Sequence, residues 1–364
     1  MGKLFSLSAA DKDGNRGDDV VTWACNVMVL TIKISSPFCV RCFVPLTVLL
    51  LLVFLLAAES SAGTFEEGVS APLTPSFSVG GKIRYLFKSH TSYEFGNPYF
   101  PYQELISQLE FPLDTWWAGL DMRLRFPRFS VGLEALTSVK QNAHGEFEDS
   151  DWDDDNRPYE KTIYSTSQMR VAPSYMVRFD ADLEVSDWLG LPAWLSIRPV
   201  GGIRYQRFNL VSHDGIQYDL TGASGSAVLP GEGIRFKQTY WHYFVGLRSV
   251  IDLSRTTGIP SFTLNLQADW AYVEGMNEDN HLLRPGRRFT YEDTYGEAWH
   301  YSMGLKKELG KGFSIGLDGD YLTISTTGNH RLLNRTFGMD ISFSNGVKVW
   351  SDQLSLSLTL EYRF

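Results

Sequence analysis

Two short patterns carry the side chains best suited to acid–base chemistry. Asp149 and Asp151 are separated by one residue, and so are Asp279 and His281. Positions i and i+2 of an extended chain point to the same side, so each pattern brings two reactive groups together. A carboxylate beside an imidazole can orient the ring and stabilise its protonated form. Together the patterns predict a site that binds and deprotonates a water molecule, with no covalent intermediate.

The first pattern opens an acidic run, residues 149–155, which holds five aspartates. Like charges at this density repel, and a folded protein tolerates them where solvent, a cation or a function compensates. An EF-hand-type calcium loop is disfavoured, because it needs glycine where Asp154 stands. We assign no partner to Asp153, Asp154 and Asp155 and expect them to lie in a solvated loop, where they add negative potential that attracts basic substrates. A solvated acidic loop with no chemical role is the alternative for the run taken alone.

Charge and cysteine usage exclude several classes of function. The 364 residues carry a formal net charge of −9, which disfavours nucleic-acid binding because such proteins present a basic face. Cys25, Cys39 and Cys42 all precede Ala62. The chain beyond that point therefore has no thiol for a disulfide, a nucleophile or a metal site.

The N-terminal region has the pattern of a secretory signal. Residues 43–58 are nearly all apolar, basic residues precede them, and small residues follow up to Ala62. We predict that residues 1–62 are an N-terminal extension plus a cleaved signal peptide. A membrane anchor is the alternative, but the apolar core is shorter than the ~20 residues that a spanning helix needs. Residues 63–364 form the predicted mature domain.

Alternation of apolar and polar residues dominates that domain. Long strands with one apolar and one polar face are typical of transmembrane β-barrels, which leave no backbone group unpaired in hydrocarbon. We therefore predict an all-β fold: a ten-stranded antiparallel transmembrane β-barrel with long extracellular loops. A soluble barrel or sandwich is the alternative, although its strands are usually only ~5–6 residues long. The ten predicted strands are 76–87, 103–126, 129–140, 168–187, 194–211, 233–253, 261–276, 288–309, 313–325 and 352–364.

The connections alternate between short turns and long polar segments. Every second connection of an up-and-down barrel lies at the same end, and in outer-membrane barrels the long ones face outside. Both acid–base patterns fall at that end, so we expect them to meet at one extracellular mouth. The predicted long loops are 91–101, 141–167, 212–232, 277–287 and 329–351.

Three segments resemble the omptins, a family of ten-stranded endopeptidases in the outer membrane of Gram-negative bacteria. They are Asp149-Ser150-Asp151-Trp152, Asp279-Asn280-His281 and Pro285-Gly286-Arg287-Arg288-Phe289-Thr290-Tyr291. The resemblance implies a catalytic set of Asp149, Asp151, Asp279 and His281. Asp149 and His281 would flank the water, Asp279 would orient His281, and Asp151 would complete the site.

The resemblance also implies partners and a location. Glu94 and Glu278 would bind substrate, because the family prefers to cleave beside basic residues. A peptide or protein would be the substrate, and outer-membrane lipid and lipopolysaccharide would surround the barrel. We predict no metal and no cofactor; whether activity requires lipopolysaccharide stays open, as does the oligomeric state.

Two other functions fit the same architecture. The barrel could be non-enzymatic, an adhesin or a narrow pore on an omptin-like scaffold. It could instead be an outer-membrane hydrolase that acts on lipid A through serine and histidine. Cleavage of a peptide library by the purified barrel distinguishes the protease from both.

Overall fold

The computed structural model describes residues 75–96, 105–139, 142–154 and 156–364. The predicted N-terminal extension and signal peptide lie outside these ranges. Over the described residues, no helix is long and apolar enough to cross a bilayer. The strands are β1 Ser76–Phe95, β2 Ser107–Pro112, β3 Trp116–Arg125, β4 Phe129–Ser138, β5 Asn142–Asp151, β6 Ile163–Leu183, β7 Leu195–Asp219, β8 Ser226–Asp252, β9 Phe262–His281, β10 Arg288–Gly310, β11 Phe313–Asn334 and β12 Met339–Arg363.

The strands form one antiparallel sheet that closes on itself. From β6 to β12 each strand pairs with the next along the chain, and β12 pairs with β1 to complete the ring. Because β2 and β3 both pair with β1, they are two parts of one position in the ring of strands, and we call each such position a stave. In the same way, β4 and β5 both pair with β6 and form one stave. The ring therefore has ten staves, which confirms the predicted ten-stranded barrel.

A break in the register of β1 lies at the level where the β2–β3 stave and the β4–β5 stave are each interrupted. Lys88 has a positive φ of 51°, and the register against β12 shifts between Phe87 and His90. The backbone N–H groups of Lys88 and Ser89 donate to the carboxylate of Asp114 at 2.9 and 2.7 Å. Asp114 lies between β2 and β3, so its side chain replaces the ladder bonds that the bulge removes.

The predicted long loops are largely strand. β6 begins at Ile163, β7 continues to Asp219 and β12 begins at Met339, all inside segments that the sequence assigned to loops. These extensions mix polar residues with outward-facing apolar ones such as Ile216, Met339 and Ile341, so their apolar alternation is less regular than that of a lipid-facing strand. Their backbone groups are nevertheless satisfied by the neighbouring strand. The predicted loop boundaries are wrong by about ten residues at several strand ends.

The outer surface carries an apolar belt in the half of the barrel nearest the short turns. Large apolar side chains are exposed there, whereas the opposite half presents polar strand extensions. Such a belt is the usual lipid-facing surface of an outer-membrane barrel. Its members include Phe77, Ile83, Leu120, Leu124, Leu133, Phe179, Leu183, Val245, Leu247, Leu305, Phe313 and Leu358.

Candidate active site

An Asp279–His281 dyad lies inside the barrel mouth, at the end of β9. Oδ2 of Asp279 is 2.9 Å from Nε2 of His281, and the two residues are 0% and 5% exposed. Asp279 pairs across the sheet with Phe236 and Thr290, and His281 pairs with Ile234 and Arg288. Because β9 is bonded on both sides up to its last residue, the sheet fixes the two side chains on one face.

Two further side chains contact this dyad. The phenol of Tyr93, on β1, donates a short hydrogen bond to Oδ2 of Asp279. A guanidinium nitrogen of Arg288, on β10, lies 3.1 Å from Nε2 and 3.5 Å from Nδ1 of His281. The phenol and the imidazole thus both approach Oδ2 of Asp279, while Oδ1 is buried without a hydrogen-bond partner among the described residues.

The second acidic pattern also faces the interior, from β5. Phe147 is buried against Phe111, with ring centroids 4.8 Å apart. Asp149 and Asp151 follow on the same face of the strand, since side chains two residues apart share a face. Asp149 pairs with Leu109 and Ser165, so it lies in paired strand and not in a loop.

The carboxyl group of Asp149 is a proton-binding group. Burial raises its pKa to about 8, and the nearby charges of Asp151 and Asp279 add to the rise. Arg288 and Arg284 oppose the rise. One oxygen of Asp149 is buried and has no hydrogen-bond partner among the described residues. At neutral pH, Asp149 therefore carries a proton beside two other acidic residues.

One residue of each acid–base pattern lines the same cavity. It has a volume of about 240 Å³, and both Asp149 and His281 line it. The remaining wall combines hydroxyl groups and apolar side chains with the charged group of Arg284 and the paired side chains of His213 and Asp214. The hydroxyl and apolar members include Ser165, Thr166, Ser212, Leu229, Ile234 and Leu283. This places an acid and an imidazole from different staves around one space large enough for a side chain of a bound peptide.

The rest of the acidic run has local partners. The hydroxyl of Thr162 donates a short hydrogen bond to Asp153, and Arg157 forms an ion pair with Asp154 at 2.9 Å. These contacts close the loop between β5 and β6. The sequence assigned no partner to Asp153 or Asp154, and the structure supplies one for each. Asp155 lies outside the described residues.

No arrangement of three or more histidine, cysteine, aspartate or glutamate side chains suited to a metal ion occurs within the described ranges. The contact between the Asp279 carboxylate and the His281 imidazole is suited to general acid–base catalysis. The site therefore offers a base, a proton donor and a cavity on one side of the mouth.

The Omptin family model matches residues 103–364, which include all four residues of the two patterns. The chain belongs to the omptin family. This confirms the resemblance drawn from the three sequence segments. Membership of the family supports, in general terms, a protease of the Gram-negative outer membrane.

Solved structures agree on the fold of this omptin. The crystal structure of the outer membrane protease OmpT from Escherichia coli is 14% identical, with a TM-score of 0.68, and the match covers 82% of this chain and 99% of that one. At this identity the likeness establishes the fold alone. A mutant of the monoaromatic hydrocarbon channel TodX matches 81% of this chain and 91% of its own at 9% identity, but its TM-score of 0.23 carries no argument. A search of curated protein sequences gave no match.

The two residues expected to bind basic substrates lie elsewhere in this omptin. Glu94 follows the inward-facing Tyr93 on β1, so it points outward, and it forms an ion pair with Lys348 at 3.2 Å. Glu278 precedes the inward-facing Asp279 on β9 and pairs with Lys237 on the outer face at 3.0 Å. The structure therefore does not bring Glu94 or Glu278 together with the catalytic set.

Several side chains that surround the dyad had no role predicted from the sequence. Tyr93 was assigned to a loop because the predicted first strand ended at Phe87. Alternation continued from Ser78, Lys82 and Leu86 would have placed Tyr93 on the outer face. The irregularity between Phe87 and His90 shifts the pattern by one residue and turns Tyr93 inward. Glu292 and His330 had no distinguishing sequence neighbour, and only the pairing of β10 with β11 brings them together.

Proposed function

We propose that this omptin is an outer-membrane endopeptidase that hydrolyses a peptide bond with a water molecule activated at the barrel mouth. The observation that carries the proposal is the buried Asp279–His281 contact, whose imidazole lines the same cavity as Asp149. The dyad supplies a base, and the facing acids supply a proton donor and a negative charge.

His281 acts as the general base on the attacking water. The carboxylate of Asp279 lies 2.9 Å from Nε2 of His281, where it orients the ring and stabilises the imidazolium as it forms. The proton then passes from the imidazolium to the leaving nitrogen, so the ring returns to its starting state. Tyr93 holds Asp279 through its phenol and keeps the carboxylate aligned with the ring.

Asp149 and Asp151 act together from one face of β5. Because its pKa is raised, Asp149 remains protonated near neutral pH and can donate to the carbonyl oxygen on which negative charge develops. Asp151 remains an acceptor that orients the attacking water. The water is then held between the acid pair and His281.

The lipid-facing half of the barrel and its polar mouth are in different environments. The apolar belt lies in the outer membrane, the polar mouth extends outside, and lipopolysaccharide surrounds the barrel. Whether lipopolysaccharide is needed for activity is decided by assaying the refolded barrel with and without it.

Basic peptides are the favoured substrates, because Asp151, Asp153 and Asp154 keep the mouth acidic. Glu94 and Glu278 have no part in this preference.

A peptide-library assay tests the function. Refolded barrel in lipopolysaccharide-containing micelles should cleave internal peptide bonds, with products identified by mass spectrometry. His281→Ala should reduce kcat/KM by about 10²–10⁴-fold, the usual contribution of a general base. Asp149→Asn should also impair cleavage, because asparagine cannot exchange a proton with Asp151.

Glu278→Gln is the matched control, since it changes the adjacent residue on the opposite face of β9. It should refold and retain activity. Full activity of folded His281→Ala would refute the site assignment. A wild-type barrel that is inert against the whole library but binds host protein would favour the adhesin, and altered lipid A in expressing cells would favour the lipid A hydrolase.

A further inference from the structure

A second acid–imidazole pair lies inside the barrel beneath the mouth. Oε1 of Glu292, on β10, is 3.0 Å from Nδ1 of His330, on β11. Both residues are 1% exposed. The proposed hydrolysis uses neither of them, and a buried pair of ionisable groups is costly unless it has a role.

Aromatic rings hold this imidazole in place. Phe95 stacks on His330 with ring centroids 4.6 Å apart, and Phe343 lies 6.1 Å away in a nearly parallel plane. The stack leaves the imidazole little freedom to rotate, so it presents Nδ1 steadily to Glu292. The second carboxylate oxygen of Glu292 is buried and has no hydrogen-bond partner within the described ranges, so His330 leaves part of the carboxylate charge unneutralised.

That remaining charge lies close to the dyad. Asp279 pairs with Thr290 across the β9–β10 ladder, and Glu292 follows two residues later on the same inner face. Diagonal neighbours of this kind are about 7–8 Å apart. Burial, then the charges of Asp279 and Glu292, raise the pKa of Tyr93 well above its usual value. Both carboxylates therefore act on one phenol and belong to one electrostatic cluster.

Glu292 is surrounded by few titratable groups. His330 faces it from β11, Asp279 from β9 and Tyr93 from β1. Burial raises the pKa of Glu292, the hydrogen bond and charge of His330 lower it, and the charge of Asp279 raises it further. The elements on either side add the neutral rings of Phe95 and Phe343.

We propose that Glu292, held by His330, is a positioning residue that places a second negative charge behind Asp279 and thereby strengthens His281 as the base. This inference rests on the proposed peptidase function. His281 removes a proton from water and becomes positively charged. Two carboxylates on the inner face of the barrel, Asp279 and Glu292, stabilise that charge more than Asp279 alone does. Glu292 contacts neither substrate nor water, so its effect reaches the reaction only through the dyad.

The proposal is tested by comparing Glu292→Gln with the charge-retaining Glu292→Asp. In Glu292→Gln, the acidic limb of the kcat/KM–pH profile should move to lower pH by on the order of one unit, as expected for a charge at this distance in a protein environment. The NMR titration midpoint of the His281 imidazole should move with it. Glu292→Asp should restore the wild-type limb and midpoint, because it keeps the charge.

Two comparisons make the outcome decisive. His90→Gln removes a half-exposed imidazole that lies 3.8 Å from Asp352, and it should leave both readouts unchanged. Unchanged readouts in a folded Glu292→Gln barrel would overturn the proposal. Retained activity in His281→Ala would instead refute the peptidase mechanism. The effect of Glu292 on His281 would then still be measurable by the NMR titration of wild type and the Glu292 variants, which keep the His281 imidazole. If Glu292→Gln does not refold, a wild-type profile in Glu292→Ala overturns the proposal equally.

Discussion

The lumen contains two sets of carboxylates, one near the short turns and one at the mouth, and they differ in their partners. In the first set, Asp182 forms ion pairs with Arg123 at 2.9 Å and with Arg198 at 2.6 Å, and it also contacts Arg248. At the mouth, no described lysine or arginine lies within ion-pair distance of Asp149. The same residue type is therefore neutralised at one end of the barrel and left acidic at the other.

The difference separates structural charges from chemical ones. Near the turns, guanidinium groups join different strands, as when Arg123 of β3 meets Asp180 and Asp182 of β6. These paired side chains line a cavity of about 850 Å³ at that end of the lumen. At the mouth, burial and then the charges of Asp151 and Asp279 raise the pKa of Asp149, and perturbed pKa values of this kind cluster at functional sites.

Asp182→Ala should give the largest effect outside the mouth. Removing this carboxylate takes one ion-pair partner from each of three guanidinium groups, which keep Asp180 or Glu184, and breaking a buried ion pair costs about 3–5 kcal/mol. We expect a corresponding loss in the free energy of unfolding, measured by urea titration of the barrel in micelles. Activity per folded molecule should stay at the wild-type level. Lost activity in barrels that remain folded would contradict the distinction between the two sets.

Asp149→Asn should change how stability depends on pH. The folded-state pKa of Asp149 is raised to about 8, so the folded protein binds this proton more tightly than the unfolded chain does. Its contribution to stability is complete below pH ~4, the unfolded value, and is lost as pH rises through about 8. An asparagine at this position has no such proton to lose. The melting temperature of Asp149→Asn should therefore rise relative to wild type between pH 5 and pH 9, by a few degrees.

A melting-temperature difference between Asp149→Asn and wild type that stays constant over this range would show that Asp149 is not a proton-binding group in the fold. The same pH series on Glu278→Gln gives the baseline for an exposed carboxylate that is already paired with Lys237.

Glu94→Gln should give the smallest effect. Its side chain faces outward and pairs with Lys348, and exposed ion pairs contribute about 0–1 kcal/mol. We expect kcat/KM for peptides with lysine or arginine at the cleaved bond to stay within about twofold of wild type, a difference below that energy. A selective loss for basic peptides would show that Glu94 reaches the substrate after all.

Alternation along the chain predicted the barrel, and together with the family resemblance it led to Asp149, Asp151, Asp279 and His281. It placed Asp279 and His281 on one face because residues two apart share a face in any extended segment. Glu94 and Glu278 came from the family resemblance and not from alternation. Extending the alternation of β9 turns Glu278 outward, whereas the register shift in β1 between Phe87 and His90 reverses the alternation ahead of Glu94.

The sequence alone determined which residues share a face of each strand, because that depends on consecutive residues. It also determined the order of the ten staves and the end at which the two acid–base patterns lie. Only the tertiary structure decided which acids are neutralised, because their partners come from other staves. Tyr93 and Asp279 are 186 residues apart, and their contact depends on the closure of β12 against β1 and on the register of every pair between them. The chemistry of the mouth depends on that closure, since an acid keeps its proton or its charge according to what faces it across the lumen.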